Sequence, residues 1–130
     1  MVDKIIIIEK IIPNFEAEVS LLKQYVNKLK LFEKEKGRWY IKSHDSEGND
    51  KLVFNEMTDK SAPEEIVRQL FLIELTDYYN YPIERVKTEK DVEFGGEIKT
   101  KRADVVVYQE DKITPWVIAE VKAPSQKLNI

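Results

Sequence analysis

The sequence predicts an α/β fold of the α+β kind, a central mixed sheet flanked by helices, and three observations carry that reading. After Ser61 a helical segment is followed by strand-like runs near 86–94, 104–108 and 115–122, and that order builds a sheet with a helix packed on it. Before it, GRWYIKSH and KLVFNEM alternate apolar and polar residues on either side of Ser46-Glu47-Gly48-Asn49-Asp50, which reads as a hairpin. Nearer the start, Phe15, Val19, Leu22, Tyr25, Val26 and Leu29 recur at helical spacing, predicting an amphipathic helix over 14–30 with Asn14 as its cap.

The remaining elements follow from local chemistry. The run over residues 5–12 is rich in isoleucine and is expected as an edge strand. Ser61-Ala62-Pro63-Glu64 combines a capping box with a proline in the first turn, so the second helix starts there and runs to about Tyr79. Asn80-Tyr81-Pro82 ends it, and Gly95-Gly96 turns the chain ahead of the basic Lys99-Thr100-Lys101-Arg102. The last two strands are apolar on both faces, as in strands covered on both sides. Trp39 and Trp116 are expected to anchor the two hairpins in the core, and His44 to face solvent. Residues 1–60 thus read as a helix-plus-hairpin extension on a core of residues 61–130, one structural domain in all. The chain ends at Gln126-Lys127-Leu128-Asn129-Ile130 as a new segment begins, pointing to a core truncated at its C-terminus.

Composition bounds the function. One hundred and thirty residues, 42% of them apolar and 35% charged, suffice for a core without covalent staples. With no cysteine, disulfide scaffolds, thiolate zinc sites and a cysteine nucleophile are excluded. A net charge of −3 offers no global attraction to nucleic acid, so any such binding needs a local patch. No window has the length of a secretory signal or the roughly eighteen apolar residues of a membrane span, and a cytoplasmic location is the default expectation.

The chemistry concentrates on two strands. If Tyr108 lies opposite Trp116, Asp104 falls opposite Glu120, with Cβ atoms roughly 4.5–5.5 Å apart. Carboxylates that close repel unless a cation lies between them, and a hard divalent ion with oxygen ligands is the usual solution. Lys122 shares the face of Glu120, while Val121 points the other way. Phosphodiester hydrolysis needs a metal ion to polarise phosphate and activate water, and a cation beside the developing charge. The plainer reading of the same residues is a salt-bridged sheet end. Against it, acidic and basic side chains sit within runs of Val, Ile and Ala, and such breaks of local preference mark sites.

Pro63-Glu64-Glu65-Ile66-Val67-Arg68-Gln69, then Tyr81-Pro82, Val86 with Glu89, Lys101-Arg102-Ala103-Asp104-Val105-Val106-Val107-Tyr108, and Ile118-Ala119-Glu120-Val121-Lys122-Ala123-Pro124 together resemble the N-terminal nuclease domain of type I restriction enzyme R subunits. That domain belongs to the PD-(D/E)xK, restriction-endonuclease-like superfamily, and the resemblance covers about residues 61–124. It implies a metal-dependent endodeoxyribonuclease with Asp104, Glu120 and Lys122 as catalytic residues, and Asp104, Glu120 and Val121 as the metal set. It also implies Mg²⁺, with Mn²⁺ able to substitute, DNA as substrate, ATP only through a separate translocase module, and further domains or subunits of a restriction-modification system as partners. Ala103 stands where the motif has proline, and the chain stops before the Gln-x-x-x-Tyr motif that relatives often carry.

The superfamily also uses a helix glutamate, for which Glu64 and Glu65 both stand. On a wheel of about 100° per residue, Glu64 lies about 80° from the middle of the apolar face and Glu65 almost opposite, so Glu64 ranks first and Glu65 second. Its plain alternative is a capping partner for Ser61. Lys99, Lys101, Arg102 and Arg68 are candidates for DNA phosphate contacts, against the alternatives of a solvated loop and a Glu64–Arg68 helix pair. Tyr78, Tyr79 and Tyr81 cluster where bases could stack, though packing explains them as well. The rival reading from another class is a catalytically inactive nuclease-fold module that binds DNA or partner subunits. A purely structural scaffold is the third.

Overall fold

The isoleucine-rich start of the chain is a helix, not the edge strand that its β-branched residues predict. The computed structural model describes residues 4–15, 23–93 and 100–122, and in it Lys4–Ile11 form helix α1. Ile7, Ile8, Ile11, Ile12 and Phe15 are all buried, while Glu9 and Lys10 are exposed. Apolar residues at i, i+1, i+4 and i+5 make one helical stripe, and packing of that stripe overrides the weak strand preference of isoleucine. Asn14 is not a helix cap. At φ 63° it occupies the left-handed region, which asparagine tolerates and an N-cap does not use. Of the helix expected over 14–30, residues 16–22 lie outside the described residues; Lys23–Lys28 form a 3₁₀ turn that buries Tyr25 and Val26, with Leu29 buried just beyond it.

Two sheets follow, and every ladder among the described residues is antiparallel, where the sequence predicts a central mixed sheet beside a separate hairpin. The first has the order β1 (Leu31–Glu35), β2 (Arg38–Lys42), β3 (Asp50–Asn55), β4 (Lys60–Ser61). The expected hairpin is its β2–β3 centre. Strand β1 joins through Gly37, whose φ of 81° suits the absent side chain. The second sheet has the order β5 (Val86–Glu93), β6 (Thr100–Tyr108), β7 (Pro115–Ala119). The expected Gly95-Gly96 turn, and Lys99, lie outside the described residues.

Helix α2, Pro63–Asp77, packs against both sheets. Ile66, Leu70 and Ile73 join the cluster formed by α1, the 3₁₀ turn and the first sheet, whereas Leu72 and Leu75 pack with Val86, Val105 and Val107 of the second. Its N-cap is Ala62, with Pro63 in the first turn and no side-chain cap, so the Ser61–Glu64 capping box does not form. Trp39 packs against the first cluster as expected. Trp116 does not anchor a core: it is 65% exposed, because it shares with Ile118 the face of β7 that no described element covers, while Val117 and Ala119 pack inward. Of the last two strands only β6 is central, with Val105, Val106 and Val107 all fully buried. Among the described residues no helix is long and apolar enough to cross a membrane.

Candidate functional site

The register of the second sheet brings the acidic residues together. Val105 pairs with Ala119, Val106 with Ile118 and Val107 with Val117, so the next position along places Asp104 across from Glu120. The assumed Tyr108–Trp116 pair is off by one, since Tyr108 pairs with Pro115 through a register shift, but that irregularity falls at the far end. At the near end the Val121 N–H donates to Asp104 Oδ2 at 2.9 Å, locking the start of the Glu120-Val121-Lys122 segment onto β6. On the other side of β6, the pairs Thr88–Val105 and Lys90–Ala103 place Glu89 across from Asp104. Glu89 has a φ of 54°, a local kink in β5 at the level of the site.

Cations interleave with these carboxylates. Lys101 Nζ lies 2.6 Å from Glu120 Oε1, and this bond, then the Lys101 charge and that of Lys122, hold the Glu120 carboxyl below its ordinary range. Lys101 is raised in turn by Glu120 and, more weakly, by Asp104, so one ammonium feels both acids. Lys51 of β3 donates to Glu89 at 3.0 Å and is the main cause of the lowered Glu89 carboxyl.

The helix contributes through Glu65, not Glu64. Glu64 is exposed, whereas Glu65, Arg68 and Gln69 are buried at i, i+3 and i+4. The wheel centred on apolar residues failed because α2 is buried on more than one side, and a polar stripe occupies part of its inner surface. Arg68 grips Glu65 with two nitrogens, Nε to Oε2 at 2.9 Å and Nη2 to Oε1, and Gln69 Nε2 adds a bond to Oε2 at 3.1 Å. Arg68 Nη2 also lies 3.9 Å from Glu89 Oε1. Burial works against its charge, yet the Glu65 bonds, with Glu89 and Asp104 behind them, raise the guanidinium further above its ordinary value. Arg68, a candidate phosphate contact in the sequence, is a buried member of the acidic cluster, and its helix partner is Glu65 in place of Glu64.

The other expected site residues fall as follows. Lys122 is exposed beside Glu120, Lys101 is engaged with Glu120, and Arg102 is exposed with its nearest acid, Asp91, 3.9 Å away. Tyr78 and Tyr79 meet edge to face on the surface. His44 is half-buried and not the solvated residue expected, with Nε2 at 2.8 Å from Thr76 Oγ1 and the ring held below its ordinary pKa by burial and then by Lys30. Sequence reasoning missed Glu89 as a site carboxylate, Lys51 and Gln69. The i, i+3, i+4 polar stripe was a readable signal for Gln69, but nothing local marks Lys51, which arrives from the other sheet.

Asp104 on β6 and Glu120 just past the end of β7 offer hard carboxylate oxygens of the kind a divalent cation takes. The Lys101 ammonium already occupies one of these oxygens, Glu120 Oε1. Among the described residues no three His, Asp or Glu side chains already converge as a metal cage.

Fold and site together define an α+β protein with an acidic and basic cluster gathered at one strand end over a buried Glu–Arg pair. The family model described as type I restriction enzyme R protein N terminus (HSDR_N) matches residues 63–130, and the chain belongs to that family. The match takes in every residue of the cluster except Lys51. No curated protein and no solved structure matches the chain.

Proposed function

We propose that the domain is the DNA endonuclease module of a type I restriction system, with a PD-(D/E)xK core that hydrolyses phosphodiester bonds with Mg²⁺, or Mn²⁺ in its place. The juxtaposition of Asp104 and Glu120 across one strand end, with Lys122 two residues along, carries this reading. Asp104 and Glu120, with the Val121 carbonyl, would hold the ion, which when bound supplies Lewis acidity toward the phosphate and a more acidic water. Lys122 orients the attacking water and offsets the charge that develops on phosphate as the water oxygen bonds to phosphorus and the leaving oxygen departs to take up a proton. Glu65 takes the helix-glutamate role ahead of Glu64, because it is the one buried with Arg68 in the cluster. Lys99 and Arg102 are the remaining candidates for backbone phosphate contacts.

One observation favours a second reading, a catalytically inactive module that binds DNA or partner subunits: Lys101 already neutralises Glu120. The two readings separate in a plasmid-nicking assay with Mg²⁺. The endonuclease reading expects nicking that EDTA abolishes and that Lys122→Ala lowers by about 100-fold. Salt-dependent DNA binding without nicking, retained in Asp104→Ala, supports the binding module instead.

A further inference from the structure

We infer that the cavity between the 3₁₀ turn, the first sheet and α2 is a binding site for a phosphate monoester. The cavity is about 350 Å³, bordered by Lys28, Lys30, Lys42, Ser43, His44 and Gly48, and is large enough for a small ligand with more than a phosphate group. Lys30 and Lys42 are tied together by the Lys42 N–H to Lys30 carbonyl bond of 3.1 Å, so their side chains leave neighbouring backbone.

The acids at this cavity are already committed. Asp45 Oδ2 accepts from Ser43 Oγ and Thr88 Oγ1 at 2.8 and 2.9 Å, and Oδ1 from the N–H groups of Glu47 and Gly48 at 2.9 and 2.8 Å. Glu47 pairs with Lys90 at 2.7 Å, and Lys28 with Asp77. Among the described residues no ion pair forms at Lys30 or Lys42. Two ammoniums with no ion-pair partner among the described residues, in one concave site, match the two charges of a phosphate monoester, through charge-assisted hydrogen bonds. The His44 imidazole beside them is held down first by burial and then by Lys30, with Asp45 opposing and Lys28 adding to the effect, so it registers the same field. A dianion in the cavity reverses that influence. The ligand's source is either a free mononucleotide or the terminal phosphate of a DNA strand, and the site stands whether or not the strand-end cluster cleaves DNA.

The chain has one histidine, so its ring proton signal reports on the site without ambiguity. Titration of the whole chain with inorganic phosphate is expected to shift that signal saturably and raise the His44 pKa. Lys30→Ala with Lys42→Ala, both exposed, is expected to weaken binding by at least about tenfold while the amide spectrum stays folded. Adenosine monophosphate, a 5′-phosphorylated oligonucleotide and the same oligonucleotide without its phosphate then separate the sources. Binding of the first alone assigns a free nucleotide, and binding of both phosphorylated probes assigns a strand end. No response of His44 to phosphate, a response unchanged in the double variant, or binding of both oligonucleotides with equal affinity overturns the inference.

Discussion

Arg68 shows how much a single residue is asked to do here. Its guanidinium neutralises Glu65 inside the protein and reaches toward Glu89, and against burial it is raised chiefly by Glu65, then by Glu89 and Asp104. Removing one member of a buried ion pair strands the other charge. Arg68→Ala is therefore expected to destabilise the fold by about 3–5 kcal/mol, read as a lower urea midpoint at constant m-value. At this scale the strand residues of the site were legible and the helix residues were not. Strand side chains alternate with a period of two, so a single pairing assumption placed Asp104 against Glu120, and an error of one at Tyr108 did no harm because the shift lies beyond the site. Glu64 and Glu65 are 100° apart on a helix that buries several faces, and their ranking depended on apolar residues that serve two different cores.

Helices and strands tell a similar story one level up. The stripe of Ile7, Ile8, Ile11 and Ile12 is legible in the sequence, but in so short a run the β-branched composition is the louder signal and predicts a strand where α1 forms. The β2–β3 hairpin and the start of α2 were legible, because alternating apolar residues and a proline in the first turn are strong local signals. The edge position of β7 was not, since a strand's neighbours depend on the rest of the chain. These placements give opposite expectations for two large apolar residues. Ile8→Ala removes a fully buried side chain and is expected to cost about 2–5 kcal/mol. Trp116→Ser, at an exposed edge, is expected to change stability by no more than about 0.5 kcal/mol in the same unfolding experiment.

For the molecule as a whole, the decisive feature is that two antiparallel sheets meet around α2 and are stitched by Asp45, which joins the loop after β2 to Thr88 on β5. Burial pushes the Asp45 carboxyl up, but the Gly48 N–H, the Ser43 and Thr88 hydroxyls and the Glu47 N–H outweigh it and hold the group below its ordinary 3.8. A carboxyl lowered in the folded state contributes stability that is complete above its unfolded pKa and is lost as pH falls through the folded value. Asp45→Ala is expected to lose about 1.5–3 kcal/mol at neutral pH, with the difference from wild type shrinking below about pH 4. The central claim is that Asp104 and Glu120 form a divalent-cation site, and Mn²⁺ titration of the whole chain, followed by paramagnetic broadening of amide signals, tests it most directly. The expected result is broadening centred on residues 104 and 120–122 that disappears in Asp104→Ala. Broadening spread over exposed carboxylates and unchanged by that substitution would contradict it.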